Sequence, residues 1–227
     1  MIDRTSILQI RFADDILFSE LPEFRGAIIS KVPQNITLFH NHLENGLRYK
    51  YPLIQYKRIK GKAAIICLGE GTEAIGNFFA GADFNLRIGK NEKNFTIDSV
   101  KANQWIIQTW NNRFTYTIRK WLPFNSDNYK EYSDLEGVVE KISMLEKLLI
   151  GNILSMCTGL NVHIEKEITC KITEIIDEKT YMFKGVRMHS FDLKFNTNIY
   201  LFDYIGLGKG VSHGFGIVKQ YNNINHE

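Results

Sequence analysis

The chain has 227 residues, of which 44% are hydrophobic and 23% are charged. This composition suits one or two compact domains, and the longest apolar runs are too short to span a bilayer. The net charge of +3 permits a polyanionic partner but does not require one.

The three cysteines are Cys67, Cys157 and Cys170, and none belongs to a C-x-x-C pair. Because their number is odd and each lies among apolar residues, we interpret them as reduced core residues of a cytoplasmic protein. The N-terminus has no basic start followed by a long apolar stretch, so no signal peptide is predicted.

The first half of the chain predicts six elements in the order β-α-β-β-α-β, which is the order of a ferredoxin-like unit. Lys60-Gly61 predicts a hairpin turn between the second and third strands. The predicted elements are, in order, a strand at Ser6–Phe12, a helix from Pro22 to Pro33, strands at Tyr51–Ile59 and Lys62–Leu68, a helix capped by Thr72, and a strand at Phe95–Val100.

The second half repeats this order up to its second helix, where a glycine-rich run occurs instead. A capping box at Ser133 and Glu136 predicts a helix with an apolar stripe from Leu135 to Ile153, including Val138 and Val139. The predicted strands are Phe114–Arg119, Ile164–Ile176, Tyr181–Phe195 after a turn at Asp177–Lys179, and Ile217–Val218. The predicted fold class is α+β, with two tandem ferredoxin-like (RRM-like) halves at residues 1–104 and 105–227, the second degenerate.

Three apolar residues alternate along the first strand of the second half. Phe114, Tyr116 and Ile118 share one face, between Thr115, Thr117 and Arg119. We interpret this face as core, because such alternation is typical of a buried strand face. The alternative is that the aromatic residues of this face stack on RNA bases, as the aromatic residues on the sheet of RNA-recognition domains do.

The run GLGKGVSHGFG, from Gly206 to Gly216, contains five glycines in eleven residues. It is not a P-loop, because Lys209 is followed by Gly210 rather than Ser or Thr. It is not a dinucleotide fingerprint either, because the eleven residues after Gly216 leave no room for the required helix and strand. The density of glycine indicates positive φ angles or a closely approaching group, so a turn that packs two strands and an anion-binding nest are both open.

The pattern Gly206-Leu207-Gly208, five residues, Gly214-Phe215-Gly216 resembles the RAMP superfamily of CRISPR-associated RNA-binding proteins. Phe24-Arg25-Gly26, His40-Asn41-His42 and the heptapeptide at 51–57, YPLIQYK, are similar to the branch that cuts CRISPR precursor transcripts within each repeat. The resemblance implies that CRISPR repeat RNA is the partner and that the glycine-rich segment lies along its backbone. The RNA-binding residues predicted on this basis are Lys31, Lys50, Lys57, Arg58, Gly206, Gly208, Lys209, Gly210, His213, Gly214 and Gly216.

The same resemblance implies catalytic histidine in the region of His40 and His42. Imidazole serves as acid or base near neutral pH, so two rings could deprotonate a 2′-hydroxyl and protonate the 5′-oxygen leaving group. In an extended segment residues i and i+2 face the same side, whereas in a helix they point roughly 160° apart. Tyr49 is the expected hydrogen-bond donor, and Lys31, Lys50 and Lys57 are candidates to stabilise phosphorane charge. Which histidine is the base stays open.

The resulting hypothesis is a metal-independent endoribonuclease, without a cofactor, that leaves a 2′,3′-cyclic phosphate and a 5′-hydroxyl. The alternative is a non-catalytic RNA-binding subunit of a CRISPR interference complex, alongside other CRISPR-associated proteins. A zinc site is not predicted, because His-x-His needs two further ligands that the neighbouring residues do not offer. A two-histidine phosphodiesterase is excluded, because no histidine is followed two residues later by Ser or Thr. A homodimer stays open.

Overall fold

The computed structural model describes residues 4–32, 42–43, 46–47, 51–79 and 83–221. The chain forms two compact units, Met1–Ile106 with Ser212–Gly214, and Ile107–Val211 with Phe215–Glu227. No helix among the described residues is long and apolar enough to cross a membrane.

The first unit has a four-stranded antiparallel sheet with the strand order β4-β5-β1-β8. With helices after β1 and β5, this is the ferredoxin-like arrangement predicted from the sequence. Its elements are β1 (Arg4–Asp15), α1 (Leu21–Ser30), β2 (His42–Leu43), β3 (Gly46–Leu47), β4 (Ile54–Ile59), β5 (Lys62–Leu68), α2 (Glu70–Phe79), β6 (Asn85–Ile88), β7 (Asn91–Asn94) and β8 (Ile97–Ile106).

Aromatic side chains form the centre of the core of the first unit. Phe12 on β1 makes edge contacts with Phe24 on α1 and with Phe95, at ring-centroid distances of 5.7 and 5.8 Å. Tyr56 on β4 contacts Phe24 at 5.9 Å. All four side chains are buried, so α1 is held on the sheet by burial of large apolar area together with favourable edge-to-face geometry.

The hairpin predicted at Lys60-Gly61 is confirmed. Both residues have positive φ angles, 51° and 89°, the combination that fits a two-residue turn to the right-handed twist of the strands. Lys62 at the start of β5 pairs with Asp15 at 3.0 Å. The predicted final strand is shifted, because β8 begins at Ile97 and continues to Ile106.

A second hairpin in this unit, β6–β7, is not predicted by the sequence pattern. Its sequence, NLRIGKNEKN, is almost entirely polar, and Leu86 is the fully buried side chain among the residues of its two strands. Gly89 takes the positive φ angle, 62°, at the turn. A strand pair that buries so little gives no apolar alternation for a sequence pattern to reveal.

The second unit has the sheet order β10-β11-β9-β12, again antiparallel. The glycine-rich segment stands where a second helix would be, which confirms the prediction of a degenerate ferredoxin-like half. Its elements are β9 (Thr109–Trp121), α3 (Ser126–Asp134), α4 (Val138–Gly159), β10 (Cys170–Phe183), β11 (Val186–Ile199) and β12 (Ile217–Gln220).

The interpretation of the β9 face as core is confirmed for Tyr116 and Ile118, which are completely buried. The Tyr116 hydroxyl accepts a hydrogen bond from the Leu201 amide at 2.8 Å. The three cysteines are also buried and free, and burial raises the pKa of the Cys157 thiol to about 11. These thiols therefore belong to the core, as predicted.

Two boundary predictions in this unit are wrong. Ser133 does not cap α4, because it lies inside α3 and its hydroxyl donates to the Tyr129 carbonyl; Gly137 is the residue that precedes α4. The turn expected at Asp177–Lys179 is absent, because β10 continues to Phe183 and the turn is Lys184-Gly185, with φ angles of 50° and 77°.

The apolar stripe of α4 begins later than predicted. Leu145, Leu149 and Ile153 are completely buried, but Val138 and Val139 are 70% and 77% exposed. The first turn of the helix therefore projects from the core, and the helix is anchored by its middle and C-terminal turns.

Candidate functional site

The predicted catalytic segment lies largely outside the described residues. This applies to His40, Tyr49 and Lys50. The backbone of His42 is described, and it forms β2, where His42 pairs with Leu47 of β3. His42 is thus on an extended strand, the backbone conformation that the two-imidazole hypothesis requires at this position.

Lys31 ends α1 and forms an ion pair in the first unit. Its Nζ lies 2.8 Å from Oδ2 of Asp83, whose other oxygen accepts from the Asn85 amide at 2.8 Å. The hydrogen bond from Lys31, followed by that from Asn85, lowers the pKa of the Asp83 carboxyl. Asp83 therefore holds the ammonium at the rim of a small pocket of about 440 Å³ that also includes Ser30 and Arg87.

Lys57 is placed differently from an ordinary lysine of a hairpin tip. Its side chain is completely buried, and burial lowers its pKa to about 7. It shares a face of β4 with Gln55, which is also completely buried. Lys57 therefore does not reach solvent, whereas Arg58 and Lys60, which follow it toward the turn, are exposed.

Arg58 points to the other side of β4 and is exposed. Its Nε donates to the Ile16 carbonyl at 2.7 Å. This bond fixes the direction of the guanidinium and uses one of its five N–H donors. The remaining donors are suited to a phosphate, since a planar guanidinium binds phosphate oxygens in pairs.

Four of the five glycines of the glycine-rich segment have positive φ angles: Gly208 at 86°, Gly210 at 69°, Gly214 at 82° and Gly216 at 63°. Each also lies against another group so closely that a Cβ would collide with it. The prediction of positive φ angles and close approach is confirmed, and both reasons for glycine apply at the same positions.

Three of these close approaches occur within the second unit. A Cβ at Gly208 would lie 2.8 Å from the Trp121 indole, and one at Gly210 would lie 2.9 Å from the Phe215 ring. A Cβ at Gly216 would meet the Leu207 carbonyl oxygen. The glycines therefore let the segment fold onto itself and onto the end of β9.

The fourth close approach is in the first unit. Gly214 lies against Leu21 at the start of α1, and a Cβ there would also come within 3.3 Å of the Phe18 ring. Between Gly210 and Gly214 the chain makes a single 3-10 turn at Val211–His213. Nδ1 of His213 lies 3.0 Å from the Ser212 hydroxyl oxygen, and the His213 side chain is half-buried.

Several amides of the segment already donate to backbone carbonyls. Leu207 donates to Gly216 at 2.9 Å, Lys209 to Leu122 at 3.0 Å, and Gly216 to Lys120 at 3.0 Å. These amides are committed to the fold, so they do not form an anion-binding nest. The Lys209 side chain is exposed and is the charge that the segment presents to solvent.

Two ferredoxin-like halves, the second with a glycine-rich segment in place of its second helix, define a RAMP-type protein. The model of the Cas6b N-terminal domain matches residues 3–105, and that of the Cas6b C-terminal domain matches residues 108–221. The chain therefore belongs to the Cas6b family.

The proteins similar to this chain include two crystal structures of Cas6b, which agree with this assignment. The chain is 36% identical over 101 residues to an uncharacterised protein of Methanocaldococcus jannaschii, covering 44% of this chain and 67% of that protein. It is similar to a crystal structure of Cas6b, with 27% identity and a TM-score of 0.85 over 96% of this chain and all of that one. A crystal structure of a CRISPR RNA processing endoribonuclease Cas6b has 25% identity and a TM-score of 0.73, again over 96% and 100%.

Proposed function

We propose that this chain is an endoribonuclease that cuts CRISPR precursor RNA within its repeats. The observation that carries the proposal is the match of two consecutive Cas6b domain models over residues 3–105 and 108–221. The similar crystal structure of a CRISPR RNA processing endoribonuclease Cas6b supports the same activity.

The proposed reaction uses the RNA's own 2′-hydroxyl as nucleophile. One imidazole of the pair His40 and His42 removes the 2′-hydroxyl proton, and the other protonates the departing 5′-oxygen. The new bond joins the 2′-oxygen to phosphorus as the bond to the 5′-oxygen breaks. The products are a 2′,3′-cyclic phosphate and a 5′-hydroxyl, and the scheme requires no metal ion.

Charge stabilisation in this scheme comes from Lys31 and Lys50, with Tyr49 as a hydrogen-bond donor. Lys31 sits at the C-terminal end of α1, and a phosphate would have to compete with Asp83 for its ammonium. We leave Lys57 out of this set, because its side chain is completely buried. Arg58 and the glycine-rich segment with Lys209 and His213 are proposed to hold the RNA backbone.

The test is cleavage of an end-labelled RNA whose sequence is the repeat of the array nearest the gene, incubated with the full chain in EDTA. We expect one cut per repeat, a 5′-hydroxyl product, and no cut after 2′-deoxyribose replaces the ribose at the mapped position. Replacing His40 and His42 together with alanine should abolish cutting and spare most binding. The matched control is His163→Ala, which removes an exposed histidine of the second unit.

The outcomes separate the two functions that the sequence leaves open. Cutting that needs added divalent metal, or that survives the double histidine replacement, contradicts the proposed chemistry. Binding of the repeat without cutting under any of these conditions supports a non-catalytic RNA-binding subunit instead.

A further inference from the structure

The second unit contains an open groove of about 1090 Å³ alongside the β10–β11 hairpin. This volume is at or above the upper end of ordinary small-molecule sites, roughly 300–1,000 Å³. The groove therefore has room for part of a polymer. The residues that define its chemistry are Phe124, Tyr129, Phe183, Lys184, Arg187 and Lys209.

Aromatic rings form one wall of the groove. The ring centroids of Phe124 and of Tyr129 on α3 lie 5.8 Å apart. His189 on β11 stacks on Phe191, with 4.7 Å between the ring centroids and 18° between the ring planes. His189 is edge-on to Phe124 at 6.0 Å. This packing fixes the wall, while Tyr129 remains 49% exposed, so a flat apolar surface faces the groove.

Cations also line the groove. Among the residues that the structure describes, Lys184, Arg187 and Lys209 make no ion pair, and all three are exposed. Among the described residues the lining has one carboxylate, that of Glu178, which contacts Nε2 of His189 and cannot balance three cations. The groove therefore carries uncompensated positive charge.

The groove is continuous with the glycine-rich segment. Lys209 stands between Gly208 and Gly210, and its amide is fixed by the Leu122 carbonyl at 3.0 Å. Gly210 lies close to Phe183, where a Cβ would come within 3.3 Å of the ring. The backbone of a bound polymer that follows the glycine-rich segment would thus reach the groove at Lys209.

We propose that this groove binds unpaired nucleotides of the RNA, with a base stacked on Tyr129 and the adjacent phosphates on Lys184, Arg187 and Lys209. The inference rests on the proposed function for the identity of the polymer. Aromatic faces beside uncompensated cations are the pattern of single-strand binding, because stacking needs an unpaired base and the cations attract phosphate. A duplex hides its base faces, and an acidic peptide offers no flat ring for Tyr129.

The test measures binding of fluorescein-labelled twelve-nucleotide oligouridylate to the full chain by anisotropy at several salt concentrations. Tyr129→Ala should weaken binding roughly 5- to 150-fold, the range for loss of one base–aromatic stack. Tyr129→Phe keeps the ring and should bind like the parent. Lys184→Ala and Arg187→Ala should each reduce the slope of log affinity against log salt by about 0.7.

A matched control variant and a second measurement on the unaltered chain accompany the binding assay. Lys147→Ala removes an exposed lysine of α4 outside the groove and should leave the slope unchanged. In the unaltered chain, photocrosslinking of oligouridylate containing 4-thiouridine should label the peptide that carries Tyr129 or the one that carries Phe183. This measurement does not depend on any variant folding.

Equal binding by Tyr129→Ala, or crosslinks only outside the groove, overturns the inference. So does an RNA duplex that binds with the same dependence on Tyr129, or a polyglutamate peptide that displaces oligouridylate. If repeat RNA is still cut in any of those cases, the proposed function stands without the groove. If oligouridylate binds as expected but the repeat is never cut, the groove stands and the proposed function fails.

Discussion

Lys57 offers a direct test of how deeply a cation is buried in this fold. Its pKa of about 7, against an ordinary 10.5, means that between these two values the unfolded chain binds a proton that the folded chain does not. The unfolding free energy should therefore rise with pH across this window, by about 1 kcal/mol per pH unit. From pH 7 to pH 9 the gain is about 2–3 kcal/mol. Below pH 7 both states are protonated, so this gain is absent.

The assay is urea unfolding, under reducing conditions, of the parent chain and of Lys57→Met at pH 6, 7, 8 and 9. Methionine fills similar space without charge. Lys57→Met should therefore have a higher unfolding free energy than the parent at pH 6. This difference should shrink as the pH rises above 7. Lys101→Met changes an exposed lysine on β8 of the same sheet. Its unfolding free energy should differ from that of the parent by an amount that does not vary with pH. A constant difference between Lys57→Met and the parent over the whole range would show that Lys57 titrates as an exposed lysine does, and would refute its burial.

Two further predictions concern stability, and urea unfolding at pH 7 measures both. Gly216→Ala should lower the unfolding free energy by at least about 1–2 kcal/mol, because its φ angle is positive and the Leu207 carbonyl occupies the Cβ position. Gly151→Ala, in open space within α4, should instead raise it by about 0.5–1 kcal/mol; equal effects would contradict this account of the glycines. Glu146→Ala should cost about 1–3 kcal/mol, because the buried carboxylate accepts from the Ile172 amide at 3.0 Å and from Lys171 at 2.9 Å. Glu146→Gln, which keeps an acceptor for the amide, should cost less, and a loss as large as that of alanine would count against the hydrogen bond.

The order of the elements could be predicted because most of them bury one face and so leave a periodic pattern. The same pattern fails at Lys184-Gly185, although the identical dipeptide at Lys60-Gly61 predicts its hairpin correctly. The difference lies in the strands. β4 and β5 are buried along most of their length, whereas most of β10 is exposed and a polar stretch interrupts it before its last three residues, so Asp177–Lys179 resembles a loop.

Burial of a charge could not be predicted from local sequence. Lys57 sits between Tyr56 and Arg58 in a segment with several basic residues, of which Arg58 and Lys60 are exposed. Its own side chain is buried because the face of β4 that carries it is covered, as the burial of Gln55 on the same face shows. Tertiary packing, which a periodic pattern does not contain, decides that position.

The glycine-rich segment shows both the value and the limit of a motif. The density of glycine correctly predicts close approach and positive φ angles. It does not reveal that Trp121 and Phe215 are the approaching groups for Gly208 and Gly210. It also gives no sign of the groove beside Lys209, because Tyr129 and Arg187 lie far from it along the chain.

The three residues Ser212–Gly214 belong to the first unit, although the chain on both sides of them belongs to the second. No single cut in the polypeptide can therefore yield two fragments that each contain a whole unit. A fragment ending at Ile106 would leave Leu21 without the glycine that packs on it. Dissection of this protein would require adding a peptide spanning those residues back to the N-terminal fragment, and not merely choosing a better boundary.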